Sequence, residues 1–162
     1  MADFYLDENL VFLQAAGTRE EILREMAENL VKEELVKTSF VTGVIEREKE
    51  YPTGLPTSSS LSVAIPHTDI EHVKKDAISI ALLKEPVAFR VMGEASMETS
   101  VSIIFMLAMQ QSHAQLTLLR DLMDFLQNET TLQALYNSKT KEDVVKLIDR
   151  KLSLSASKGG DR

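Results

Sequence analysis

Cysteine is absent from the 162 residues, which excludes disulfides, thiolate nucleophiles and Cys-ligated zinc or iron–sulfur centres. Positive charge is scarce. Lys plus Arg number 18 against 25 Asp plus Glu, a formal net charge of −7, opposite in sign to the footprint that a phosphate backbone requires, so no nucleic-acid partner is expected. Long apolar runs are also missing. The strongest, residues 101–109 (Val-Ser-Ile-Ile-Phe-Met-Leu-Ala-Met), is far shorter than the ~20 residues of a membrane helix. The opening Met-Ala-Asp-Phe-Tyr-Leu-Asp-Glu-Asn has no basic stretch followed by an apolar one, so a cytoplasmic protein is expected. Ser58-Ser59-Ser60 lies in no G-x-S-x-G elbow, and neither a Walker A nor a G-x-G-x-x-G loop occurs, leaving no motif for serine or nucleotide chemistry.

What is present matches an ordinary folded domain: 44% hydrophobic and 27% charged residues in a length that suits one core. A single domain over residues 1–152 is expected, with residues 153–162, poor in apolar side chains, fraying as a tail. Thr18-Arg-Glu-Glu21 is a capping box, and Ile22, Leu23, Met26, Ala27, Leu30 and Val31 follow helical periodicity, predicting a helix to about Lys37. A second, short helix is expected from Ser39, with Phe40, Val44 and Ile45 inward. The segment from Tyr51 (Tyr-Pro-Thr-Gly-Leu-Pro-Thr-Ser-Ser-Ser) propagates no helix and reads as a loop with at most one short strand.

Strands are expected at residues 61–65, ended by Pro66, at 77–83 and 87–91, split by Glu85-Pro86, and at 101–109; residues 4–14 hold enough apolar side chains for one more. Thr68 to Lys75 reads as a turn or a single helical turn. Ser112-His-Ala-Gln115 repeats the capping-box pattern and opens a helix with Leu116, Leu119, Met123 and Leu126 on one face; residues 128–138 continue it or start another. A last helix begins at Thr140-Lys-Glu-Asp143. The expected fold is an α/β sandwich, a mixed central sheet flanked by helices.

Three histidines occur. His67 follows Val-Ala-Ile-Pro at the end of a buried strand, where proline turns the chain out of the sheet, and its imidazole is largely neutral at pH 7, with a reference pKa of about 6.5. An ordinary surface histidine at a strand end is the alternative. His113 opens a helix, where free N–H groups favour an anion such as phosphate; from position alone, a histidine merely tolerated in a first turn is the simpler alternative. His72, after Glu71 in a polar segment, reads as solvent-exposed. His67, Asp69, Glu71, His72 and His113 together include enough ligands for a metal, but their spacing fits no metal motif. The methionines read as core filling.

Arg47-Glu-Lys-Glu-Tyr-Pro-Thr-Gly-Leu55, then Val63-Ala-Ile-Pro-His67, then His113 at the head of a leucine-rich helix resemble the fructose/mannitol-type enzyme IIA domain of the bacterial sugar phosphotransferase system. The likeness runs from about Tyr5 to Arg150, and the wording of the first segment is most similar to the galactitol branch. It implies that His67 carries a phosphoryl group, that His113 lies beside it and that Arg47 serves the same site. It implies a relay from the phosphocarrier HPr to a IIB component, feeding a membrane IIC permease indirectly, for galactitol or a related polyol, without metal or nucleotide cofactor. Leu55, Ile70 and Val73 would supply apolar contacts to partners. The Ser-rich residues 57–62 and Thr68 stand where most relatives have glycine. A nitrogen-regulatory-type IIA module, which controls a partner by its phosphorylation state, shares the same histidine chemistry. On the residues alone, Arg47 also reads as a solvated cation among Glu46, Glu48, Lys49 and Glu50.

Overall fold

A computed structural model describes residues 4–57, 60–110 and 112–152. The tail expected at 153–162 and Ser58-Ser59 lie outside the described residues. Helix α1 (Arg19–Lys32) starts where the capping box places it: the Glu21 amide donates to Thr18 Oγ1 at 3.1 Å and the Thr18 amide donates to Glu21 Oε1 at 2.9 Å. It ends five residues before the expected Lys37. Glu34, at φ +62°, turns left-handed, and the amides of Glu34 and Leu35 donate back to Val31 and Leu30 at 2.9 and 3.0 Å. These paired bonds satisfy the carbonyls of the last turn, a termination usually built on glycine. Helix α2 (Ser39–Glu50) begins as expected and buries Phe40, Val44 and Ile45.

Five strands form one mixed sheet among the described residues: β1 (Val11–Ala15), β2 (Gly54–Pro56), β3 (Ser62–Ala64), β4 (Ala77–Val91) and β5 (Glu94–Ala108). Strand β1 runs parallel to β4, β4 antiparallel to β5, β5 parallel to β3, and β3 antiparallel to β2, which returns to β4 where Gly54 meets Val91. The expected break at Glu85-Pro86 does not occur. Leu82 faces Ile103 and Val87 faces Val101, so residues 83–86 lie opposite Ser102 alone. A bulge absorbs the proline without ending the strand. Residues 77–83 and 101–108 are buried at every position, the pattern of strands covered on both faces.

Helices α3 (Ser112–Leu126), α4 (Glu129–Tyr136) and α5 (Lys141–Leu152) complete the sandwich, with α5 against β1 and α3 against α4 and α5. Asn128 ends the ambiguity over residues 128–138: its side chain accepts from the Thr131 amide at 2.9 Å and caps a separate α4. Phe125 of α3 meets Phe105 of β5 edge-on at 6.3 Å, holding the helix against the strand that leads into it. The α/β sandwich read from the sequence is the fold observed. Among the described residues, no helix is long and apolar enough to cross a membrane.

Candidate functional site

Strands β3 and β5 run parallel, so their carboxyl ends share one edge of the sheet, where ligands of open α/β sheets gather. Chain leaving β3 passes through Ile65 and Pro66 to His67; chain leaving β5 enters α3, with His113 in its first turn. The topology therefore brings the two histidines to the same edge. His113's side chain, and with it the expected Ser112–Gln115 capping bonds, lies outside the described residues. Pro66 does not turn the chain out of the sheet at once, because its carbonyl still accepts the Leu107 amide at 2.9 Å. Proline forfeits only the donor.

His67 is half-buried, and its Nδ1 lies 2.9 Å from the Ile65 carbonyl oxygen. A carbonyl can only accept, so Nδ1 carries the proton and Nε2 keeps its lone pair. Burial lowers the His67 pKa below the ordinary 6.5; the Arg47 charge lowers it too, against the Ile65 hydrogen bond and Asp69, which raise it. The ring is thereby kept neutral near pH 7, with one nitrogen open as nucleophile.

The loop after His67 rests on one stripe of α2. Ser39 Oγ meets His72 Nδ1 at 2.7 Å, and Arg47 pairs with Asp69 at 3.5 Å. Between them, a Cβ added to Gly43 would stand 3.1 Å from Thr68 Oγ1 and 3.4 Å from the His72 ring. Positions 39, 43 and 47 recur every four residues, so they share a helix face. His72 is thus not the exposed residue expected: its side chain is 19% accessible, held between Ser39 and Gly43. Thr68, in place of a glycine, is buried against the same stripe.

Arg47 is not merely solvated. Its guanidinium carbon lies 5.0 Å over the Tyr51 ring, and its buried Nε has no hydrogen-bond partner among the described residues. A fixed cation with an unused donor beside a neutral imidazole suits a phosphoryl group, whose oxygens accept planar paired bonds. Ile70 is 61% exposed nearby and Leu55 is partly buried, but Val73, expected at the surface, is buried at the bridge with Val36. Among the described residues, no three His, Asp or Glu side chains are grouped as metal ligands.

Sequence reading missed Glu48, which is only 5% exposed. It accepts the Thr53 amide at Oε2 and the Thr53 hydroxyl at Oε1, both at 2.8 Å. Burial raises its pKa, opposed by those two bonds and by Arg19. The signal was available: Glu48 stands four after Val44 and three after Ile45, on the apolar stripe of α2.

The family model for the phosphoenolpyruvate-dependent sugar phosphotransferase system, EIIA 2, matches residues 4–151. The galactitol-specific EIIA component of Escherichia coli (strain K12) is 29% identical over 117 residues, covering 72% of this chain and 77% of that protein. The mannitol-specific EIICBA component of the same strain is 28% identical over 144 residues, covering 87% of this chain and 21% of that protein. The chain thus spans about a fifth of the longer relative. The solved complex of enzyme IIAMTL and phosphorylated enzyme IIBMTL from Escherichia coli is similar with a TM-score of 0.73 at 26% identity, over 91% of this chain and 99% of that one.

Proposed function

Because the chain belongs to the EIIA 2 family of the phosphoenolpyruvate-dependent sugar phosphotransferase system, we propose that His67 takes a phosphoryl group on Nε2 from phosphorylated HPr and passes it to a sugar-specific IIB component. One observation carries the assignment of the atom: the Nδ1 proton is committed to the Ile65 carbonyl, so Nε2 alone can attack. In the transfer, the Nε2 lone pair forms a bond to phosphorus as the phosphorus–nitrogen bond of the donor histidine breaks, and the electron pair of that bond returns to the donor ring. Positive charge then spreads over the His67 ring, and its retained Nδ1–H strengthens the bond to Ile65 O. Such a transfer asks the protein for in-line placement and charge stabilisation, not for further covalent chemistry.

Arg47, with its unpartnered Nε, is the donor to the equatorial oxygens, and His113 supplies a second from the first turn of α3. Passing the group to IIB runs the same step in reverse, with His67 as leaving group. The exposed Ile70 and the partly buried Leu55 give a small apolar margin suited to partners that must depart. The proposed unit is residues 1–152, acting in the cytoplasm ahead of a IIC permease. Galactitol or a related polyol is the proposed cargo, supported by the motif around Tyr51-Pro-Thr-Gly and by the galactitol-specific relative.

The test is incubation with enzyme I, HPr and labelled phosphoenolpyruvate, followed by mapping of the acid-labile phosphate. Label on His67 that is lost in His67→Ala supports the reading; label on another residue, or a His67→Ala protein labelled like wild type, overturns it. Passing the label to galactitol-type and mannitol-type IIB proteins reads the cargo, and transfer to neither favours a regulatory role.

A further inference from the structure

Glu48 and Thr53 form a chain of bonds that ends on the His67 ring. The Thr53 hydroxyl has one proton, and it is donated to Glu48 Oε1 at 2.8 Å. Its oxygen therefore faces Ile65 as an acceptor, and the Ile65 amide donates to it at 3.2 Å and to the Thr53 carbonyl at 3.4 Å. The carbonyl of that same Ile65 receives the His67 Nδ1 proton at 2.9 Å. Glu48 takes the hydroxyl proton and so leaves the Thr53 oxygen to accept from Ile65, while the Ile65 carbonyl, able only to accept, calls for the proton on His67 Nδ1.

We propose that Glu48 and Thr53 are positioning residues for phosphoryl transfer: together they hold Ile65 in the orientation that keeps the proton on His67 Nδ1 and the lone pair on Nε2. Neither residue touches the reacting atoms. The inference rests on His67 being the phosphoryl acceptor, and it adds how the acceptor nitrogen is chosen. A carboxylate is required at position 48 because it must accept from two donors of one residue, the Thr53 amide and hydroxyl. Glutamine has one oxygen. If that oxygen takes the amide, its NH2 group faces the Thr53 hydroxyl, whose own proton is then left buried without an acceptor or turns to displace the Ile65 amide.

The experiment reads the tautomer of His67 from the ring nitrogen shifts of the 15N-labelled protein above pH 7, beside the single-turnover rate of phosphoryl acceptance from phosphorylated HPr. Wild type is expected to show the Nδ1–H form. Glu48→Gln and Thr53→Val are expected to move population to the Nε2–H form and slow acceptance about ten- to hundredfold, the range found when partners that orient metal-ligating histidines are lost. Thr53→Ser keeps the hydroxyl and is expected to retain the wild-type tautomer. A folded Glu48→Gln protein with wild-type tautomer and rate overturns the proposal. So does a wild-type protein in the Nε2–H form, a measurement that stands even where the variants fail to fold. Wild type that takes no label at His67 sinks instead the underlying reading, so the two failures are told apart.

Discussion

A histidine nucleophile has to be neutral, and the surroundings of His67 act to keep it so. Burial first, and the Arg47 charge after it, lower its pKa from 6.5. Between that value and the lowered one, the folded protein binds fewer protons than the unfolded chain, so stability is lost as pH falls through this window and is complete above it. The lone pair persists to more acid pH than in a free imidazole. An NMR titration of the His67 ring is expected to give a midpoint below 6.5; a midpoint at or above it would mean that burial does not govern the site. Arg47 and His113 are proposed as donors and not as the attacking atom, so their loss is expected to slow acceptance without moving the label. Removing one such donor costs about 10²–10³ in rate. Arg47→Lys is expected to fall well short of wild type, because a point charge cannot replace paired planar donors. Transfer rates within about twofold of wild type for both Arg47→Lys and Arg47→Ala would take Arg47 out of the site.

Segments whose structure is decided locally were legible. The Thr18–Glu21 box is written in four consecutive residues, and α1 starts there; the left-handed Glu34 that ends it bears no such mark, because glutamate offers no steric reason for that conformation. The segment from Tyr51 read as a loop with at most one short strand, which β2 is, but its meaning emerges only when β2 is laid against the β4–β5 hairpin. A Cβ at Gly54 would stand 2.6 Å from the Arg90 carbonyl oxygen and 3.1 Å from the Phe89 side chain, while Thr53 is tied to Glu48 and Ile65. The Thr99 methyl would stand at 3.2 Å as well, and the nearest of the three neighbours is backbone, which cannot swing aside. Gly54→Ala is therefore expected to destabilise the protein by about 1–3 kcal/mol, the usual cost of overpacking, read by denaturant unfolding. An unchanged midpoint would show that β2 yields at no cost. The site residues divide in the same way. His67 stood out from its own segment, whereas Glu48 looked like one more surface charge until its bonds to Thr53 showed what the apolar stripe was covering.

Across the whole molecule, burial divides the long β4–β5 hairpin in two. Its inner half, residues 77–83 against 101–108, is buried on both faces, whereas residues 94–98 and most of 84–90 are exposed. The sequence marked the inner half by its apolar runs, each interrupted by a single serine, Ser79 or Ser102. It gave no sign that the arm beyond Pro86 continues the same strand, because a bulge is a property of two strands together and not of either alone. Opening of the outer arm exposes two buried apolar side chains, Phe89 and Val91, whereas freeing the inner ladder uncovers its whole two-sided core, Ile80, Ile104 and Phe105 among it, all fully buried, and with them the support of the His67 edge. Amide hydrogen exchange in the native state is therefore expected to run at two levels. Amides of Ile80, Ile104 and Phe105 are expected to exchange only through global unfolding, and bonded amides of the arm around Ala88 and Ser100 through local opening at lower free energy. Equal protection in the two halves would mean that the arm is part of the same cooperative unit, and that the contact of Gly54 with Val91 is enough to bind it there.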